Sequence, residues 1–315
     1  MTMLLIDNND ISDPRINLAL EEYCFRNLNT YNYLLFYINQ PSIIFGRHQN
    51  LFQEINLELV NQKNILLVRR ISGGGTVYHD FGNLNFSFIT DFTEDKLDYF
   101  KTLIGPIIKA IEQLGVSADL TEKNTLVVCG KKISGSSQHT NMRRLLSHGT
   151  LLFHSDLNLL QSVLESNLKI IQSKGIASIK SDVTNISEHL LQPMDLKTFL
   201  TKLTSAISDE FGGLKEFQLT SVDWEAVYKL AKEKYTSWEW TFGRSPEFSV
   251  RHKFKSDSGD IHVDLNVKHG IIENIKMQKA NRLTPPIRKV IEESIGKRYG
   301  SDFTGGSSAL KRLSE

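Results

Sequence analysis

Three consecutive glycines, Gly73-Gly74-Gly75, constrain this chain more than any other feature. They follow an apolar run, Ile65-Leu66-Leu67-Val68, that reads as a strand, and precede another, Leu84-Asn85-Phe86-Ser87-Phe88-Ile89. Glycine loses more backbone freedom on folding than any other residue, so a triplet is kept where backbone passes through space that no side chain can share. Two readings are open at this point. The glycines could supply positive φ to a tight hairpin, or they could let the backbone approach a ligand. Arg69, Arg70, Ser72 and His79 flank the triplet, and this density of polar groups favours an anion-binding wall, since arginine offers forked donors suited to phosphate or carboxylate. The segment lacks the Gly-Lys-Ser/Thr ending of a P-loop, and the following strand excludes the dinucleotide fingerprint, which needs a helix there.

The 315 residues suffice for one large domain, or a large and a small one, with an ample core. A formal net charge of +1 gives no overall basic footprint, so nucleic acid is not expected as a partner. No window approaches the ~20 apolar residues of a membrane span, and the N-terminal residues do not resemble a secretory signal, so the expectation is a cytoplasmic protein with no membrane association. Cys24 and Cys129 form neither a metal spacing nor a disulfide framework.

Helical spacing of apolar residues predicts helices over 15–28, 96–114, 157–168, 196–211 and 223–235, with Asp13-Pro14 as a start signal and Gly115 and Gly212-Gly213 as stops. Beyond residue 235 the pattern changes. A connector holding Trp238 and Trp240 leads to alternating runs at 248–254, 260–267 and 271–277, with turns at 256–259 and 268–270, and then a helix over 286–299. These runs define an α+β protein: a large domain, 1–246, with a mixed sheet flanked by helices, and a small β-β-β-α accessory domain, 247–315. Trp238 and Trp240 could form a stacking platform, but two tryptophans pinning a linker to the large domain are the simpler reading.

Four further pieces carry polar groups. Gly130-Lys131-Lys132-Ile133-Ser134-Gly135-Ser136 could be a solvated turn or a strand that aims one lysine into a cleft; alternation puts Lys131 and Lys132 on opposite faces. His148 stands alone in a strand and reads as structural. Residues 179–186 could be an ordinary loop or a mobile lid. Cys129 sits beside an apolar run and reads as a small core residue rather than a nucleophile.

Taken together these segments resemble the lipoate–protein ligase family. The matching residues are Arg70-Ile71-Ser72-Gly73-Gly74-Gly75-Thr76-Val77-Tyr78-His79-Asp80, Lys132-Ile133-Ser134-Gly135-Ser136, His148-Gly149-Thr150-Leu151-Leu152 and Ser181-Asp182-Val183-Thr184-Asn185-Ile186, in the family's order. The resemblance implies a biotin/lipoate ligase-like fold and a two-step acyl transfer through lipoyl-AMP. ATP and lipoic acid would be substrates, and the acceptors would be lipoyl domains of 2-oxoacid dehydrogenase E2 subunits and the glycine-cleavage H protein. It further implies that Arg70, Gly75, Thr76, Val77, Tyr78 and Lys132 bind ATP, and that Lys132 also contacts lipoate and is catalytic. The family often has Asn-Asp ahead of the lysine strand. Here the pair is Asn124-Thr125, so no protein metal ligand is assigned and Mg2+ would arrive on the ATP phosphates. The rival readings are a transferase using preformed acyl-AMP, a cysteine acyl-enzyme that needs no ATP, and a non-catalytic lipoate- or nucleotide-binding module.

Overall fold

The computed structural model describes residues 3–92, 99–122, 125–254, 261–278 and 285–300. In chain order its elements include β1 (Met3–Ile6), α1 (Pro14–Asn27), β2 (Asn32–Ile38), β3 (Ser42–Phe45), β4 (Leu66–Arg69), β5 (Val77–His79), β6 (Asn83–Asp91) and α2 (Tyr99–Gln113). There follow β7 (Asp119–Leu120), β8 (Thr125–Val128), β9 (Lys131–Thr140), β10 (Arg144–Leu152), β11 (Lys169–Ser173), α3 (Leu196–Glu210), β12 (Leu214–Phe217) and α4 (Ser221–Leu230). The last are β13 (Phe248–Phe254), β14 (Ile261–Lys268), β15 (Ile271–Gln278) and α5 (Pro285–Glu292). The expected turn at 256–259 lies outside the described residues, as do the first residues of the helix expected from 96.

Two compact units emerge: residues 1–47, 65–161 and 179–237 in one, and 48–64, 162–178 and 238–315 in the other. The first holds a mixed sheet in the order β12-β1-β2-β6-β10-β9-β8-β7. β12, β1 and β2 run parallel, and the remaining neighbours pair antiparallel. Alternation along these strands gives the sheet two chemically different faces. Leu34, Phe36, Phe86, Phe88, Leu145 and Leu151 bury one face in a cluster with Ile104, Ile107 and Ile111 of α2 and Phe199, Leu203 and Ile207 of α3. Each such side chain stabilises the fold by roughly 1.5–3 kcal/mol relative to exposure. The intervening positions mix apolar residues, such as Leu35, Ile89 and Leu146, with the polar Tyr37, Asn85, Ser87, His148 and Thr150. Register aligns Ser87 with His148 and His148 with Ser137, so these three lie side by side on the other face.

Helix α1 begins where Asp13 accepts the Arg15 backbone N–H at 2.9 Å and Pro14 pre-sets φ. It buries Leu18, Ala19 and Leu20, and also two consecutive glutamates, Glu21 and Glu22. Glu22 accepts from Arg26 (2.7 Å), Lys234 (2.7 Å) and Tyr235 (2.6 Å), the last two from a π-helical turn that continues α4. That turn lies within the span expected as one helix over 223–235.

The second unit carries an antiparallel sheet in the order β11-β13-β14-β15. The expected three-strand meander is present, and β11 adds a fourth strand at its edge. The helix expected across 157–168 therefore ends at Val163, because the chain from Lys169 extends to pair with β13. Phe52, Phe248 and Tyr299 pack together with ring centroids 4.8–5.5 Å apart. Trp238 lies beneath the Arg298 guanidinium at 4.4 Å, both within the second unit. Among the described residues no helix is long and apolar enough to cross a membrane.

Candidate active site

Topology decides between the two readings of the glycine segment. β4 and β5 lie on opposite sides of β3, parallel and antiparallel to it, so the loop they bracket is no hairpin turn. It crosses the end of β3 instead. A Cβ on Gly46 would sit 2.2 Å from the Gly74 carbonyl oxygen, and Gly74 itself has φ 83°. Only glycine fits either position without displacing backbone.

Arg70 is buried inside this loop and organises it. Its Nη2 donates to the carbonyls of Gly73 (2.5 Å) and Gly75 (2.7 Å), Nη1 to that of Ile44 (3.1 Å), and Nε to Ser72 Oγ (2.9 Å). Ser137 Oγ also donates to the Gly73 carbonyl at 2.9 Å. The peptide bonds are trans, so turning the carbonyls of Gly73 and Gly75 inward turns the N–H groups of Gly74 and Thr76 outward. Burial lowers the Arg70 pKa to about 10, with Glu21 opposing the shift. Arg69 is fully buried, donating to the Gly46 carbonyl at 2.9 Å with its guanidinium 4.9 Å from the Phe45 ring centre.

Beneath the loop runs a buried hydrogen-bond chain. Ser72 Oγ lies 2.6 Å from His148 Nε2, and His148 Nδ1 lies 2.9 Å from Glu21 Oε2. Glu21 Oε1 accepts from Tyr37 Oη at 2.9 Å and from Ser87 Oγ. Burial, and the Glu21 carboxylate beside it, push the Tyr37 hydroxyl well above its usual pKa. A second chain holds His79: Asn17 Nδ2 donates to Asn39 Oδ1 (2.9 Å), and Asn39 Nδ2 faces His79 Nδ1 (2.9 Å). Burial and the nearby Arg70 charge depress the His79 pKa to about 3, so its imidazole stays neutral across the working pH range.

Lys132 stands on β9, and a bulge re-aims it. Leu126 pairs with Ser134 but Val127 pairs with Lys132, leaving one extra residue in β9. Beyond the bulge the lysine lies on the Gly135 side of the strand: its Nζ is 3.0 Å from where a Gly135 Cβ would be, and Val77 Cγ1 is 4.0 Å from that point. The Lys132 amine has no hydrogen-bond or ion-pair partner among the described residues. Desolvation, then the Arg70 charge, lowers its pKa from the usual 10.5. Backbone bonds from Lys132 N to Asp182 O (2.8 Å) and from Thr184 N to Lys132 O (3.1 Å) hold the strand against residues 182–184. Thr184, Asn185 and Ile186 are buried, whereas Ser181 and Asp182 are exposed.

The structure thus brings together Arg70, Gly75, Val77 and Lys132. Thr76 lies in the loop between them, and Tyr78 is buried in β5, facing away from Val77 by strand alternation. Cys129 corrects its sequence reading. It is exposed at φ 49° in the β8–β9 turn, ahead of Gly130 at φ 77°, and not in a core strand. Sequence reasoning missed Glu21, Tyr37 and Asn39. One signal was available for Glu21: Asn17 and Glu21, four residues apart, interrupt the apolar face of α1.

Residues 13–208 match the model of the lipoyl protein ligase A/B catalytic domain. Lipoate-protein ligase LplJ of Bacillus subtilis (strain 168) is 48% identical over 87% of this chain and 84% of its own length. Among solved structures, lipoate-protein ligase A bound with ATP superposes with a TM-score of 0.64 at 26% identity, over 76% of this chain and 97% of that one. A bi-partite lipoate protein ligase of Thermoplasma acidophilum, described with its E2 lipoyl domain, gives 0.65 at 26% identity, over 76% and 96%. The fold and the site define an acyl-ligase scaffold of this kind. This chain belongs to the lipoate–protein ligase family.

Proposed function

We infer that the chain activates lipoate with ATP and passes the lipoyl group to a lysine of an acceptor lipoyl domain. In the first step a lipoate carboxylate oxygen attacks the α-phosphorus, forming lipoyl-AMP as the bond to pyrophosphate breaks. In the second, the acceptor ε-amine attacks the acyl carbon, AMP departs with the bonding electrons, and the amine gives up a proton. Both steps build negative charge on oxygen, first around phosphorus and then on the acyl carbonyl. A cation fixed beside both atoms stabilises each transition state more than the ground state. The observation that carries this reading is the Lys132 amine, desolvated, without a hydrogen-bond or ion-pair partner among the described residues, and set by the β9 bulge on the Gly135 side of the strand, where Val77 at the end of the glycine loop also lies.

Lys132 is accordingly the proposed catalytic and lipoate-contacting residue. The loop from Arg70 through Tyr78 is the proposed nucleotide wall, with Arg70 acting by shaping the backbone. The ATP-bound family structure and the relatives' names support the choice of substrates. E2-type lipoyl domains and the H protein are the proposed acceptors. No group of three His, Cys, Asp or Glu residues among the described residues could hold a metal ion. We therefore assign magnesium to the nucleotide's phosphates and route no step through it. Residues 1–246 are proposed to carry the chemistry and 247–315 to be accessory.

Pyrophosphate release with ATP and lipoate, octanoate or biotin, without acceptor, tests the reading. Release that depends on lipoate or octanoate is expected. Transfer from supplied lipoyl-AMP without any such release would make the protein a transferase of preformed adenylate. No observation favours a cysteine acyl-enzyme: burial raises the Cys24 thiol pKa, and Cys129 sits in an exposed turn.

A further inference from the structure

Ser72, His148 and Glu21 have the spacing of a serine–histidine–carboxylate nucleophile, with Oγ to Nε2 at 2.6 Å and Nδ1 to Oε2 at 2.9 Å. Two facts argue against nucleophilic chemistry here. Ser72 is completely buried, and its oxygen already accepts the Arg70 Nε–H at 2.9 Å. The hydrogens show what the chain does instead. An arginine can only donate, so the single Ser72 hydrogen remains for His148 Nε2. His148 Nδ1 then donates to Glu21, whose other oxygen is occupied by the hydroxyls of Tyr37 and Ser87. Every donor finds an acceptor only when the bonds run from Arg70 to Ser72 to His148 to Glu21. The direction is set at the carboxylate end and delivered at the guanidinium.

We propose that Ser72, His148 and Glu21 are positioning residues for adenylation: they fix the rotation of the Arg70 guanidinium, and through it the peptide planes of Gly73 and Gly75. None of them needs to touch the nucleotide. Arg70 holds both loop carbonyls through one nitrogen, Nη2, while Nε is held by Ser72. A guanidinium is planar, so anchoring Nε sets where Nη2 lies. Releasing Nε leaves the plane held only at the Ile44 carbonyl through Nη1 and at the two loop carbonyls through Nη2, so the guanidinium can turn and those carbonyls are held less firmly. The inference rests on the reading of this loop as the nucleotide wall.

A pair of substitutions similar in polarity and size separates positioning from bulk stability. In His148→Gln the side-chain amide reaches the Nε2 position and can still accept from Ser72. In His148→Asn an amide N–H remains near Nδ1 for Glu21, but Ser72 is left without its acceptor. The measurement is lipoate-dependent pyrophosphate release by the full chain, with kcat, KM for ATP, KM for lipoate and the unfolding midpoint recorded for each protein. Loss of a hydrogen bond in a charged chain corresponds to about a ten- to hundredfold effect. His148→Asn and Ser72→Ala are each expected to raise KM for ATP on that scale, and His148→Gln, which keeps the acceptor for Ser72 but loses the donor to Glu21, to raise it by a clearly smaller factor. Equal defects in the Gln and Asn variants would overturn the proposal. So would defects that follow the unfolding midpoint, or that fall on lipoate alone. A lipoyl adduct on residue 72 of the parent or of Ser72→Cys, detected by mass after exposure to lipoyl-AMP, would instead make Ser72 a nucleophile. If the parent releases no pyrophosphate at all, it is the ligase reading that fails, which the same assay shows separately.

Discussion

At the scale of the residue, the site depends on where individual charges are left unpaired. Arg70 is nearly saturated by its own loop, whereas Lys132 keeps its amine available. Lys132→Ala is therefore expected to lower lipoate-dependent pyrophosphate release by about 10²-fold or more, the scale of removing one preorganised charge-stabilising group. Parent-like single-turnover rates would remove Lys132 from the mechanism. The depressed pKa has a sign that can be checked. A lysine whose pKa is lowered in the fold loses its charge earlier as pH rises, so the alkaline limb of the adenylation profile should fall below 10.5 and belong to Lys132. The same limb should move up in a Lys132→Arg protein, because a guanidinium gives up its proton at higher pH than an ammonium in the same place. Strand alternation alone put Lys131 and Lys132 on opposite faces without choosing between them, and the family resemblance singled out Lys132. The bulge that turns it to the Gly135 side was not legible in the sequence, since a bulge is a property of two strands in register and β8 alone does not specify it.

Elements show the same division. The strand before the glycine segment was visible as an apolar run, but the short β5 after it was not, the next run read being that of β6; nor was the arrangement of β4 and β5 around β3, which lies more than twenty residues earlier in the chain. The close pass of the loop over Gly46 yields a test at this scale. Gly46→Ala places a methyl 2.2 Å from the Gly74 oxygen, so the loop must move. Adenylation is expected to fall by at least about tenfold, with overall stability reduced by about 1–3 kcal/mol, the range for forced overpacking. Unchanged ATP affinity with full stability would show that the loop does not need this contact. α1 was read correctly as a helix closed at its start by Asp13-Pro14. Its two buried glutamates read as ordinary charged residues until the fold supplied Arg26, Lys234 and Tyr235 for one, and His148, Tyr37 and Ser87 for the other. A carboxylate can be buried only where donors from distant segments converge on it.

For the molecule as a whole, the three-strand C-terminal meander was anticipated nearly residue for residue, and β11 was not. The run 169–173 was assigned to no element, and it forms a strand where β13 offers it an edge. Removing residues 248–315 should therefore unfold more than the deleted part. Amide exchange protection is expected to be lost across 169–173 and around Phe52, which would lack Phe248 and Tyr299, while β6 and β10 stay protected. Persistent protection at 169–173 would mean that β11 is held without β13. Local pattern sufficed to determine the α+β class, most helices and strands and the place of the glycine segment, because each is written in contiguous residues whose period or composition has a direct physical reading. The tertiary structure alone decided that the glycine segment crosses a strand end rather than turning a hairpin. It also decided that Arg70 serves the loop from within, and that Glu21 and His148 stand behind it. These follow from contacts between residues as many as 127 positions apart, and no local pattern encodes the partner that a buried charge requires.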